Sequence, residues 1–376
     1  MRSVARINLA AIERNVARLR DLVTPGAAFC AVVKADGYGH GAVPVARAAL
    51  AGGAGWLAVV TAAEATELRR AGIDARLLVL GPLQDAELHE ALDAGADVVA
   101  WDTATVDRLV AVGRPAAVHL KFDSGMGRLG QRDPERIERL CETVAEAAHL
   151  RLVGLMTHFA TADDPDDPFL GEQLERFAAL AERVRQRHPG VIVHAANSAA
   201  TIREPASHFD MVRSGIAIYG MDPFGRNPAD HGLEPALSWE SWLASSKPCE
   251  PGDSVGYGRR FVADRSTRIG NVPVGYADGV RRHLSGLGAA VLVDGRRVPM
   301  VGTVSMDSFG VDLGPDAEDP VGTGVTLIGR AADERILAEE LAEVLGTINY
   351  EITCAIGRRV SRLYHRDGDP LSGVAA

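Results

Sequence analysis

The sequence predicts an α/β chain of two domains, an N-terminal (β/α)8 barrel of the TIM type over residues 1–235 and a C-terminal, mainly antiparallel β-domain over residues 236–376. Three observations carry this. Short apolar runs alternate with Ala- and Glu-rich helical stretches as far as about residue 220, and eight such runs can be counted. The alternation stops at a segment rich in Pro, Gly and Asp, "DPFGRNPADHGLEPALSW". Beyond it come short β-patterned runs with a single late helix, and 376 residues suffice for two cores.

Taken in order, the first twenty residues, "MRSVARINLAAIERNVARLR", are charged throughout and read as an amphipathic helix, not a signal peptide. Strands are expected to begin near Phe29, Trp56, Leu77, Asp97, Val118, Leu152, Ile192 and Met211. Their runs are continuously apolar and bounded by Gly, Pro or Asp, the pattern of a parallel sheet buried on both faces. Helical segments such as "AVPVARAALAGG", "AEATELRRAG" and "PFLGEQLERFAALAERVRQRHPG" separate them. A doubly wound open sheet fits the same alternation and stays open as an alternative; eight units in this length fit a barrel, whose catalytic groups sit at strand C-terminal ends. The acidic "DDPDDP" reads as a solvated loop, and residues 222–239 as a linker. From Leu237 onward, "IGNVPVGYAD", "AAVLVDGRRVPMVGTVS" and "GVTLIG" lie between Gly- and Asp-containing turns, which is antiparallel patterning, and a helix is expected near 337–346.

Composition excludes several classes of function. The net charge is −10, and basic and acidic residues are interspersed with no basic stripe, which argues against a nucleic-acid partner. No run of about 18 apolar residues occurs, so no spanning helix is expected and no membrane partner. Four cysteines lie far apart with no C-x-x-C pair, so neither a disulfide framework nor a zinc site is expected, and the cytoplasm is the natural compartment.

Polar residues then recur at expected strand ends. Lys34 closes the first run, in "AVVKADGYGHG". Apolar walls there would lower its amine from roughly 10.4, and a neutral amine suits Schiff-base chemistry; the plain alternative is a lysine reaching solvent. The fifth run ends with Lys121, Asp123 and Arg128, the sixth with His158, the seventh with Asn197 and Ser198, and the eighth with Arg213 and Gly215. Singly, His158 fits packing and Arg213 fits a pair with Asp210. Together, five buried polar strand ends would cost several kcal/mol each without partners, so a shared site is the better account. The loops after the last two strands carry Ser198 and the Gly215–Ile216 amides, which open a short helix and suit a phosphate dianion. A phosphorylated cofactor beside a Schiff-base lysine points to pyridoxal phosphate.

The motifs "AVVKADGYGHG", "LKFDSGMGRLG", "THFATAD", "ANSAAT", "MVRSGIAIYG", "VGYG", "GYADG", "SMD" and "INYE" occur in this order across essentially the whole chain. Together they resemble alanine racemase, a two-domain, fold-type III family of pyridoxal-phosphate enzymes. The resemblance implies that Lys34 anchors pyridoxal 5'-phosphate covalently and is one of two bases, with Tyr257 the second. It implies that Tyr38, Ser198, Gly215 and Ile216 bind the cofactor phosphate, that Arg213 faces the pyridine nitrogen, and that His158, Asn197 and Tyr350 complete the cofactor site. Arg128, Met306 and Asp307 would meet the substrate, alanine; Tyr276 would stand at the entryway; Lys121 would be a candidate for carbamylation. A homodimer with shared active sites is implied, Tyr257, Met306 and Asp307 serving the other subunit, and the product D-alanine would supply peptidoglycan. Two departures are Ser305, where some relatives carry cysteine, and Thr303 at the entrance, where some carry arginine. A broad-specificity or serine racemase, a fold-type III decarboxylase and a cofactor-binding regulatory barrel are the alternatives; the last lacks a β-domain.

Overall fold

The computed structural model describes residues 1–371. The chain begins with a strand, β1 (Val4–Asn8), and the helix starts only at Leu9, running to Leu22. The expected N-terminal helix is corrected over its first turns because residues 4–8 bury Ala5 and Ile7 on one face and expose Arg6 on the other. That period of two belongs to a strand.

Eight parallel strands then close into a barrel: β2 (Ala28–Val32), β3 (Trp56–Val59), β4 (Arg76–Val79), β5 (Asp97–Ala100), β6 (Ala116–Lys121), β7 (Leu150–Met156), β8 (Ile192–His194) and β9 (Met211–Ser214). Pairing of β2 with β9, Ala28 against Met211 and Ala31 against Ser214, seals it and removes the open-sheet alternative. Every one of the eight expected strand starts lies within two residues of an observed one. The helices between them are cut to fit. Helix Pro134–Glu146 is capped by Asp133, whose carboxylate accepts from the Glu135 and Arg136 amides, and has proline at its first position. It buries Ile137, Leu140, Cys141 and Val144, a single stripe at helical spacing.

The chain divides into two compact units. The barrel unit comprises residues 12–37 and 42–218; the β-rich unit takes in 1–11, 38–41 and the described residues from Tyr219 onward. These limits differ from a division at 235/236, since both the N-terminal strand and residues 219–235 group with the β-rich unit.

In the β-rich unit, β10 (Leu237–Trp242) pairs antiparallel with β1, and β1 pairs in parallel with Ser361–Arg366 on its other edge. β10 continues to Gly324–Ala331, Ala290–Val293, Arg296–Val301, Phe309–Asp312 and Thr267–Val272, ending at β11 (Ser245–Cys249). The hairpin Ala290–Val293/Arg296–Val301 turns on Asp294-Gly295, both at positive φ, the two-residue turn such hairpins favour. The late helix runs Ala338–Leu345. The segment expected to be a linker is instead packed. Asp222 is fully buried; its carboxylate accepts from the Phe224 and Arg226 amides, and its own amide donates to Glu339 Oε1 at 2.9 Å. The loop 163–168 is mostly exposed, as expected. Among the described residues no helix is long and apolar enough to cross a membrane.

Strand β1 supplies core on one face only, so shortening one of its inward side chains should be felt fully. Ile7→Ala is expected to lower unfolding free energy by about 2–5 kcal/mol in a denaturant titration. A loss below about 1 kcal/mol would mean that β1 is dispensable to its sheet.

Candidate active site at the barrel mouth

Arg213, on β9, is the buried charge around which the barrel interior is organised. Its Nη1 donates to His194 Nδ1 at 2.9 Å, and Nη2 faces the carbonyls of Thr157 (2.8 Å) and Ala195 (3.0 Å) and His158 Nδ1 (3.3 Å). Asp210, the pairing alternative, is taken by Arg185 at 2.6 Å. Burial pushes the guanidinium down to about 10, which leaves it protonated at neutral pH. Its Nε–H has no acceptor among the described residues.

From Arg213 a chain of hydrogen bonds runs back through the core. His194 Nε2 lies 2.8 Å from His119 Nδ1, and His119 Nε2 lies 3.1 Å from Asp97 Oδ2. Arg76 closes it, donating to Asp97 at 2.9 Å while stacking over Trp56. The two ends settle the protons between them. A guanidinium only donates and a carboxylate only accepts, so His194 must accept at Nδ1 and donate at Nε2, and His119 must do the same. Both imidazoles are then neutral. Burial holds both below the ordinary imidazole value, with the Arg213 charge adding to the effect. Space for this chain is cut into the neighbouring strand: a Cβ on Gly154 of β7 would stand 2.0 Å from His119 Nδ1, and the β6–β7 register shifts at Val118/His119.

Around Arg213 the strand ends gather basic groups. Lys121, buried at the end of β6, is pushed down to about 8 by burial first, then by Arg213, Arg128 and Lys34, with Asp123 opposing. His158 is held well below the imidazole range by burial and by Arg213, Lys121, Arg128 and Lys34. Lys34, Lys121, Arg128 and Arg213 thus all bear electrostatically on His158, which they help to keep neutral. Asp123 is not an open site residue: its carboxylate accepts from the Gly125 and Gly127 amides and from Arg132 Nε at 2.8 Å, which shapes the loop carrying Arg128.

Lys34 follows β2 and opens a left-handed turn, with φ of 52° at Ala35, 51° at Asp36, 59° at Gly37 and 53° at Tyr38. Asn197 caps the helix Ser198–Arg203, its Oδ1 accepting from the Ala200 amide at 3.0 Å. Ser198 Oγ accepts from the amides of Gly215 (2.9 Å) and Ala217 (3.3 Å), and Ile216 opens a 3-10 turn where a short helix was expected. These two amides thus fix the Ser198 hydroxyl, as an acceptor, against the start of the 3-10 turn that follows β9.

The remaining expected residues lie in the β-rich unit. Tyr38 is buried, its ring 4.9 Å from that of Tyr219 and 6.0 Å from that of Tyr350. Burial, then Tyr350 and Cys354, push its phenol above the usual range, so it stays a proton donor. Gly39 allows the approach, since a Cβ there would meet the Thr353 carbonyl at 2.2 Å. Tyr350 is carried on helix Asn349–Cys354, and Asn349 Nδ2 anchors that helix to the Asp222 carbonyl at 2.8 Å and to Glu339. Tyr257, Met306 and Tyr276 are 72%, 52% and 43% exposed on adjoining loops. The Tyr276 amide bonds the Ser305 carbonyl, and Ala277 bonds that of Met306. Thr303 is buried, its hydroxyl donating to the Tyr257 carbonyl at 2.7 Å, so it secures the Tyr257 loop. Asp307 pairs with Arg359 at 2.7 Å.

Sequence reasoning missed Asp97, His119, His194 and Glu64, whose Oε1 accepts from the Ala35 amide next to Lys34. A signal existed for His119, which stands two residues before Lys121 on the same inward face of β6. Asp97 and His194, at a strand start and a strand end, gave none by themselves.

A closed parallel barrel that gathers basic groups, a buried guanidinium among them, at the C-terminal ends of its strands has the architecture of a barrel enzyme, in which that face carries the active site. Residues 7–223 match the family described as alanine racemase, N-terminal domain, and residues 236–364 match alanine racemase, C-terminal domain. The chain is 44% identical over 365 residues to an alanine racemase of Symbiobacterium thermophilum, covering 96% of each, and 42% identical over 368 residues to that of Geobacillus stearothermophilus, covering 96% and 93%. The alanine racemase of Bacillus anthracis with bound L-Ala-P superposes with a TM-score of 0.91 at 38% identity, over 100% of this chain and 97% of the other. This chain belongs to the alanine racemase family.

The neutral imidazoles make stability depend on pH. The fold holds His119 and His194 below their unfolded value, so the unfolded chain binds more protons as pH falls through about 6.5. Stability is full above that pH and is lost below it, at about 1.4 kcal/mol per pH unit for each imidazole until its own folded value is passed. Melting temperature is expected to drop steeply between pH 7 and 5. A level profile there would contradict the neutral tautomers.

Proposed function

We propose that the chain interconverts L-alanine and D-alanine by a two-base exchange on pyridoxal 5'-phosphate, as a homodimer with shared active sites. The observation that carries the reading is Arg213, a guanidinium fixed on all sides but one, its Nε–H left for a ring nitrogen. The donor set fits the cofactor in kind: an amine at Lys34 for the aldehyde, Ser198 with the Gly215 and Ile216 amides and the Tyr38 phenol for the phosphate, and Arg213 for the pyridine, with His158, Asn197 and Tyr350 around them. When bound, the cofactor supplies the electron withdrawal that makes the substrate α-proton acidic. A guanidinium does not give up its proton, so Arg213 keeps the pyridine unprotonated and the withdrawal mild, which disfavours side transamination.

Racemisation needs a proton taken from one face of the α-carbon and returned on the other. Lys34 serves one face and the Tyr257 oxygen the other. Tyr257 comes from a second copy of the chain, a reading supported by its exposure beside Met306 and Tyr276. Arg128 holds the substrate carboxylate in the electropositive mouth, with Met306 and Asp307 completing the pocket and Tyr276 at its entry. Lys121, at about 8, has a neutral fraction able to take up carbon dioxide, and the resulting carbamate would offset the charge of Arg128. Free cysteines and the absence of a spanning helix among the described residues accord with a cytoplasmic enzyme supplying D-alanine for peptidoglycan.

Protein given pyridoxal phosphate and L-alanine is expected to bring the solution to equal enantiomers, and Lys34→Ala to abolish this. Tyr257→Phe should slow loss of the α-deuteron from L-alanine by roughly 10²–10⁴-fold in single-turnover exchange, and from D-alanine far less. Carbon dioxide in place of D-alanine, or equal slowing of both enantiomers, would overturn the reaction or the one-face role respectively. Mixed Lys34→Ala and Tyr257→Phe proteins should regain activity as subunits exchange; no recovery despite proven exchange would place both bases on one chain.

A further inference from the structure

The turn bearing Lys34 is the most strained stretch of the barrel unit, because left-handed backbone is disfavoured for Ala35 and Asp36. Something outside the turn must hold it. The carboxylate of Glu64, on helix Ala62–Arg70, does so from the neighbouring β3 connection. Its Oε1 accepts from the amide of Ala35 at 2.7 Å. Its Oε2 accepts from the amides of Val60 (2.8 Å) and Thr61 (3.1 Å), while Thr61 Oγ1 accepts from the Glu64 amide in return. The second set is an ordinary capping box, which needs one oxygen. The bond to Ala35 is additional. It reaches 29 residues back to the amide that directly follows Lys34.

We propose that Glu64 is a positioning residue for the racemisation, its carboxylate clamping the amide after Lys34 and so aiming the Lys34 amine. The inference rests on the reading of Lys34 as the cofactor-bearing amine. Two further bonds support the turn but do not touch that amide: Gly37 donates to the Val33 carbonyl at 3.0 Å, and Ala42 donates to Asp36 Oδ1 at 2.9 Å. Glu64 joins the turn to a second strand connection.

Glutamine separates the two tasks. An amide side chain has one acceptor and one donor end, and three backbone N–H groups cannot all be met. With its oxygen on Val60 and Thr61 the cap survives, and its NH2 then opposes the Ala35 N–H. The test uses full-length protein stripped of cofactor and reloaded with pyridoxal phosphate, following the visible absorbance of the lysine-bound cofactor, with borohydride trapping and peptide mapping at Lys34. E64Q is expected to melt near the parent but to capture the cofactor about tenfold more slowly, a misplacement effect. Thr61→Ala, which weakens the cap alone, should melt lower and capture at the parental rate. Equal slowing in both variants, parental capture by E64Q, or an E64Q melt far below that of Thr61→Ala would reduce Glu64 to a helix cap and overturn the proposal. Undiminished capture by Lys34→Ala would instead overturn the reading of Lys34, and the proposal with it.

Discussion

A guanidinium buried without a carboxylate in contact dictates the interior of the barrel. Removing such a charge from water costs several kcal/mol unless its donors are met. Arg213 meets the cost with two strand-end carbonyls and two imidazoles. Because it can only donate, each imidazole is fixed in one tautomer, and the donor direction ends on Asp97. The missing side chain at Gly154 and the register shift in β6 follow from housing His119. One residue at the mouth thus sets side chains at both ends of the barrel.

Near the mouth the backbone is also strained. Left-handed geometry costs roughly 1–2 kcal/mol for each residue with a Cβ, and Ala35, Asp36 and Tyr38 all adopt it. Such strain persists only where surroundings over-determine it, and it gathers at functional sites. Here the surroundings are hydrogen bonds at Ala35 and Ala42 and, for Tyr38, burial against Tyr219 and Tyr350. The four-residue stretch 38–41 groups with the β-rich unit although both flanking residues group with the barrel.

Much of this was legible in the sequence. The barrel strands were readable because each is a continuous apolar run between breakers, and burial on both faces demands that pattern. The strand-end residues were readable because charged side chains in such places need a reason. The first strand was not: five residues of alternating burial, flanked by a strong helix, carry less signal than the helix. Residues 222–239 misled because Pro, Gly and Asp mark loops whether or not the loop is buried, and only the Asp222–Glu339–Asn349 bonds distinguish the cases. The Asp97–His119–His194 chain is a property of closure, joining residues 22 and 75 positions apart. No local pattern announces it.

The position of β1 has a consequence for how the protein is made. Val4–Asn8 is synthesised before all the barrel strands, yet one of its two neighbours, Ser361–Arg366, is synthesised after them. All eight barrel strands lie between Ala28 and Ser214, so the barrel has its full complement of strands before either neighbour of β1, Leu237–Trp242 or Ser361–Arg366, is made. Throughout that interval β1 is an apolar strand with both edges unmet, the kind of segment that invites pairing with other nascent chains. Its brevity and the outward Arg6 are what limit that hazard until the final strands emerge.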